Sequence, residues 1–120
     1  MTKRDLRDYI QDILDAIGEV KEFIEGMRFE DFAKEKKTVN AVIRSHKVIG
    51  EAAKKIPEDL RQRHAQIPWK RMAGMRDKLI HEYFGIDLET VWVVINNELP
   101  PVKPMIQDVL KNIENEMGGE

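Results

Sequence analysis

Cysteine is absent from the 120 residues, which excludes a disulfide framework, a thiolate zinc site and a cysteine nucleophile. Long apolar runs are absent as well. The longest, Val91 to Ile95, falls far short of the roughly 20 residues a helix needs to span a bilayer. Residues 1–8 already hold Lys3, Arg4, Asp5, Arg7 and Asp8, with no apolar stretch of signal-peptide length behind them. No internal repeat, low-complexity tract or linker interrupts the chain. These absences lead us to expect a cytoplasmic protein with no membrane segment. A single domain is expected over residues 1–117, with a short tail at 118–120.

Hydrophobic residues make up 42% of the chain and charged residues 35%, a balance that suits a helix-rich globular core. Lys and Arg number 20 against 22 Asp and Glu, but the two signs are not mixed evenly. Residues 1–33 hold 5 basic and 9 acidic side chains, residues 34–78 hold 13 and 5, and residues 79–120 hold 2 and 8. A basic centre between acidic ends can bind a polyanion; it can equally be a set of solvated helix faces.

Helical spacing dominates the sequence. Leu6, Ile10, Ile13, Leu14, Ile17, Val20 and Ile24 recur at steps of three and four, with carboxylates between them and Gly26 as the stop. Phe29 and Phe32 lead into a second long helix. Its stripe is Val39, Val42, Ile43, His46, Ile49, Gly50 and Ala53, and Pro57 closes it. A short helix or turn surrounds Leu60. Pro68 opens a third long helix, expected from Trp69 to Tyr83 with a stop at Gly85. Asp87 is positioned to cap a helix on Leu88, Val91, Trp92, Ile95 and Leu99, although the β-branched run at 91–95 also suits a strand. Pro100, Pro101 and Pro104 are expected to separate it from a last helix on Val102, Ile106, Val109 and Ile113. The fold class is all-α, an up-and-down bundle of about five helices.

His46, His64 and His81 lie on different elements, and no His-x3-His or His-Glu-x-x-His spacing offers a metal set. His46 falls in an apolar stripe and is expected to be a buried, hydrogen-bonded core histidine. His64 sits among Arg61, Arg63 and Gln66 and is expected to be solvated. At about 100° per residue, Met72, Met75, Arg76, Leu79 and Tyr83 share roughly one third of a helix circumference. A guanidinium in that apolar arc needs an anion. His81 lies on the other flank, with Asp77 one turn earlier to hold a ring nitrogen. Two readings follow. Arg76 pairs with a neighbouring carboxylate such as Glu51 and His81 is an exposed helix-end residue, or Arg76 and His81 form a site. Arg44, Lys47 and Glu51 add a polar row at the edge of the second helix.

The stretch Arg76-x4-His81-x-Tyr83 resembles the R-x4-H-x-Y motif of HepT-like proteins of the HEPN superfamily, ribonuclease toxins paired with MntA-type nucleotidyltransferase antitoxins. Ala41 to Arg44, Ile49 to Pro57, Pro68-Trp69, Tyr83 to Asp87 and Asn97 to Pro100 are similar to the family as well. The likeness runs from about residue 2 to 113. It implies a helical homodimer with two motifs facing across a cleft and metal-independent RNA cleavage without a cofactor. By the same resemblance Arg76 and His81 are the catalytic pair, and Tyr83 is the residue to which the antitoxin transfers AMP. Arg44, Glu51 and Asp77 are supporting polar residues. Lys47 stands where family members often carry an acid.

The residue types suit the chemistry. RNA supplies its own 2′-hydroxyl nucleophile, His titrates near neutrality, and the planar fork of Arg matches a phosphate. A catalytically silent nucleotide- or RNA-binding module that scaffolds a nucleotidyltransferase is the alternative, and a ligand-free helical dimer is a further one.

Overall fold

The protein is described here by a computed structural model over residues 5–74 and 87–118. Helix α1 (Leu6–Ile24) starts where its first N–H groups find carboxylates. Asp5 accepts from the Arg7 N–H at 2.9 Å, and Asp8 accepts from the Asp5 N–H at 3.2 Å. It ends at Ile24, and Gly26 then takes a φ of 76°, a left-handed turn that only glycine enters without strain.

The aromatic stretch forms a short helix of its own, α2 (Phe29–Lys34). Fully buried Phe32 stacks obliquely on Trp92, with ring centroids 5.1 Å apart. Helix α3 (Lys36–Lys54) follows. It buries Val42, Ile49, Ala52 and Ala53, but also Ser45 and His46. Helix α4 (Glu58–Arg63) is one short turn anchored by Leu60. Residues 69–74 form α5, the root of the expected motif helix. Residues 75–86, which hold the rest of the helix expected to run to Tyr83, lie outside the described residues.

The C-terminal part differs from the sequence expectation. Helix α6 (Leu88–Val93), a π turn (Val94–Glu98) and α7 (Leu99–Gly118) run on directly from one another, so the prolines do not separate two helices. Asp87 is the expected cap, accepting from the Thr90 N–H and hydroxyl. Pro100 and Pro101 fall in the first turn of α7 and offer no N–H to the carbonyls of Asn96 and Asn97. Their rings also crowd those carbonyls in an α geometry. The wider π coil lies just ahead of them, where the chain has more room for the rings. Asn96 Nδ2 donates to the Trp92 carbonyl at 2.9 Å, so a side chain supplies a bond where the ladder changes pitch. The β-branched run is helical because Val91, Val94 and Ile95 all bury on one row against the core.

Helix α1 packs between α3 and α7, and α2 lies against α3 and α6. Along the α1–α3 seam Phe23 and Ala41 line one stretch of a shared groove and Tyr9 and Ala52 the other, so the two helices run antiparallel. Among the described residues no strand is present, and no helix is long and apolar enough to cross a membrane.

The turn from α3 into α5 is held by side chains that satisfy backbone carbonyls. Arg61 donates from Nη2 to the Ala53 carbonyl at 2.6 Å and from Nε to the Ile56 carbonyl at 3.0 Å. The Ala53 carbonyl also accepts from the Ile56 N–H at 3.2 Å, so the guanidinium adds to the backbone turn that closes α3. Trp69, buried, donates from Nε1 to the His64 carbonyl at 3.1 Å. Replacement Arg61→Met keeps much of the aliphatic stem and removes both bonds. It should lower unfolding free energy by about 1–3 kcal/mol, as for a charged donor taken from part-buried acceptors. Urea denaturation of the two chains checks this, and an unchanged midpoint contradicts it.

Candidate active site

Two of the sequence-selected residues, Arg44 and Glu51, lie on α3, on the edge that faces α1. With Lys47 between them they border a groove whose other wall is α1. Asp12, Asp15 and Glu19 line that opposite wall, while Ala16, Ala41 and Val48 form an apolar floor. Tyr9 and Lys55 close one end and Phe23 the other. The sequence row of Arg44, Lys47 and Glu51 is therefore a real edge, and carboxylates of α1 line the groove across from it. Arg76, Asp77, His81 and Tyr83 lie outside the described residues.

The approach to them is described. At the root of α5, Trp69 and Met72 are buried, and Arg71 forms an ion pair with Glu98 of the π turn. The sequence reading did not find this contact. A π turn has no signature of its own, and the Pro100–Pro101 pair was the available signal. Close by in sequence, Lys54, Lys55, Arg63 and Lys70 are exposed, and Arg63 pairs with Glu116 at 2.9 Å. The basic central segment thus shows its charge to solvent, partly offset by α7. Exposed pairs of this kind add little stability, about 0–1 kcal/mol each.

The family model described as Ribonuclease HepT-like matches residues 13–109. A Methanocaldococcus jannaschii protein named "Putative RNase MJ0127" is 47% identical over 116 residues, covering 97% of this chain and 96% of that protein. A Thermococcus cleftensis protein named "Probable ribonuclease HepT" is 46% identical over 109 residues, covering 91% of this chain and 99% of its own. The chain belongs to the HepT-like ribonuclease family. Its enzyme class is ribonuclease. No solved structure matches it.

In this HepT-like chain the family match spans the whole stretch from Arg76 to Tyr83 and both flanking helical regions. It also spans His46, whose state differs from the expectation. The ring is buried as expected, at 2% exposure, but among the described residues neither Nδ1 nor Nε2 has a hydrogen-bond partner. Burial depresses its pKa to about 4. The Val42 carbonyl one turn earlier favours the protonated ring, but it stands outside hydrogen-bond geometry and does not offset burial.

The pH consequence has a definite sign. An unfolded histidine takes a proton near 6.5, whereas the folded one resists it until about 4. Stability from the neutral ring is therefore complete above pH 6.5 and drains away as pH falls toward 4, by roughly 3 kcal/mol in all. His46→Leu should flatten the stability curve between those values and raise the melting temperature at pH 5. A variant that keeps the wild-type pH slope contradicts this.

Proposed function

We propose that the chain is the toxin of a two-component module, an endoribonuclease that cuts RNA without a metal and acts as a two-fold dimer. Arg76 and His81 carry the reaction. The observation that carries this reading is that the HepT-like match encloses an intact Arg76-x4-His81-x-Tyr83. The exposed cations at the end of α3 and the root of α5 add a polyanion-attracting surface.

The chemistry starts from the substrate. The 2′-oxygen of one nucleotide attacks its own 3′-phosphorus, and the 5′-oxygen of the next nucleotide departs. His81 transfers a proton in this step, either taking it from the 2′-hydroxyl or giving it to the departing oxygen. Arg76 binds the nonbridging oxygens as their charge grows. Asp77, one turn before His81, holds the imidazole, and Arg44 and Glu51 support the surrounding polar edge. The products are a 2′,3′-cyclic phosphate and a free 5′-hydroxyl.

Regulation falls to Tyr83. A partner nucleotidyltransferase of the MntA type joins the tyrosine oxygen to the α-phosphorus of ATP, and pyrophosphate leaves. The attached AMP brings a phosphodiester and a purine beside Arg76, where they compete with RNA for the same cation.

Purified protein should cleave total RNA in EDTA, and Arg76→Ala or His81→Ala should slow cleavage by roughly 10²-fold or more. Cleavage that stops on chelation, or that survives His81→Ala, removes the mechanism. Intact RNA with the wild type favours the silent scaffold instead. Tyr83→Phe should keep much of the nuclease activity yet gain no AMP when incubated with the cognate nucleotidyltransferase and ATP. Intact-mass measurement decides this, and AMP addition to the Phe variant contradicts it.

A further inference from the structure

Arg71 stands on the exposed side of α5, five residues before Arg76 in the sequence. Its Nη2 meets Oε1 of Glu98 on the π turn, yet the Arg71 side chain stays 65% exposed against 32% for its partner. A guanidinium carries five N–H donors, so a contact through one nitrogen leaves much of the fork open to solvent. The surroundings favour an anion. Lys70 is exposed beside it, and Gly74, one turn on along the same face, is exposed as well. Among the described residues nothing stands within 4 Å of the point where a side chain at Gly74 would begin. Asn97, next to Glu98, is exposed and uncharged. A phosphate backbone can therefore approach this face closely.

We propose that Arg71 is a phosphate-binding residue for the RNA substrate, held by Glu98 in the free chain and passed to a phosphate near the cut when RNA binds. Exposed ion pairs are weak, and the planar fork of Arg matches a phosphate in two places at once. The reach is bounded without reference to the fold. Five residues of chain span at most about 18 Å in any conformation, so the phosphate at Arg71 lies within a few nucleotides of the one at Arg76. Glu98 then competes with the substrate, because its carboxylate occupies the cation and repels the backbone. The Arg63–Glu116 pair, at 2.9 Å, is of the same kind and supplies a control. Glu116 stands near the other end of α7, about 25 Å of helical rise from Glu98 and beyond the Debye length of roughly 10 Å at 0.1 M salt. The proposal rests on the ribonuclease reading above and adds a substrate contact outside residues 76–83.

The test is binding of a fluorescent, mixed-sequence 2′-O-methyl oligoribonucleotide, which has no free 2′-hydroxyl to attack, followed by anisotropy across a salt series. Arg71→Gln should weaken binding roughly three- to tenfold and make the log–log salt slope shallower by about 0.7, one phosphate contact on a single strand. Glu98→Gln should tighten binding about two- to fivefold. The double variant should bind like Arg71→Gln alone, and Glu116→Gln like the wild type. If Arg71→Gln loses its helical circular dichroism, Glu98→Gln is an independent arm, since a merely structural pair predicts weaker binding there. Unchanged or weaker binding by Glu98→Gln overturns the proposal, as does an unchanged salt slope in a folded Arg71→Gln. So does tightening that persists without Arg71 or appears equally in Glu116→Gln, because bulk charge then explains it. A wild type that does not bind the oligonucleotide overturns it too. Cleavage of unmodified RNA is scored separately. Variants that bind as expected beside a wild type that leaves RNA intact defeat the nuclease reading alone.

Discussion

Everything that leads into the 76–83 segment depends on how the chain turns at the end of α3. A single guanidinium, that of Arg61, donates to two carbonyls at this turn, those of Ala53 and Ile56. That fixes α4 against the end of α3. The indole of Trp69 then bonds the His64 carbonyl, so the start of α5 is tied back to the end of α4. Ile56, Leu60, Ile67, Trp69 and Met72 are all buried beneath these bonds, and the apolar packing and the polar clamps enforce one geometry. On the far side, the π turn presents Glu98 to Arg71. A motif whose side chains must be placed within fractions of an ångström benefits from such a rigid root.

The distribution of charge follows the same division of labour. Helix α1 carries carboxylates along its exposed face, whereas the exposed positions of α3 and the α4–α5 region are mainly basic. Net charge near zero therefore conceals a polar molecule, with cations gathered around the path into the motif. For a ribonuclease this draws a polyanion toward one region and repels it from another.

Much of the fold was legible because hydrophobic periodicity is a local signal. The stripe of α1, the Gly26 stop and the Asp87 cap each follow from a few adjacent residues, and the structure has them. Where the sequence failed, a neighbour or a backbone alternative had intervened. Three prolines within five residues read as a break, yet a π turn precedes them and the helix continues. His46 read as a hydrogen-bonded core residue. Periodicity foretold its burial, but no pattern in one sequence reveals whether a buried ring finds a partner. The Arg61 clamp and the Arg71–Glu98 pair were invisible because each joins separate elements. Of the site, the residue types of Arg76, His81 and Tyr83 and their spacing were legible. The placement of Arg44 and Glu51 opposite the α1 carboxylates was not.

The central claim is that this chain breaks RNA by turning the 2′-hydroxyl of the substrate against its own phosphate. The chemistry of the cut ends tests that most directly. A defined oligoribonucleotide should be cleaved to a 2′,3′-cyclic phosphate or its 3′-phosphate hydrolysis product together with a 5′-hydroxyl, and an oligonucleotide with 2′-deoxy substitution at the cut site should resist. Mass spectrometry of the fragments reads both. A 5′-phosphate with a 3′-hydroxyl, or cutting of the deoxy-substituted strand at the same position, would place the nucleophile in water and contradict the account.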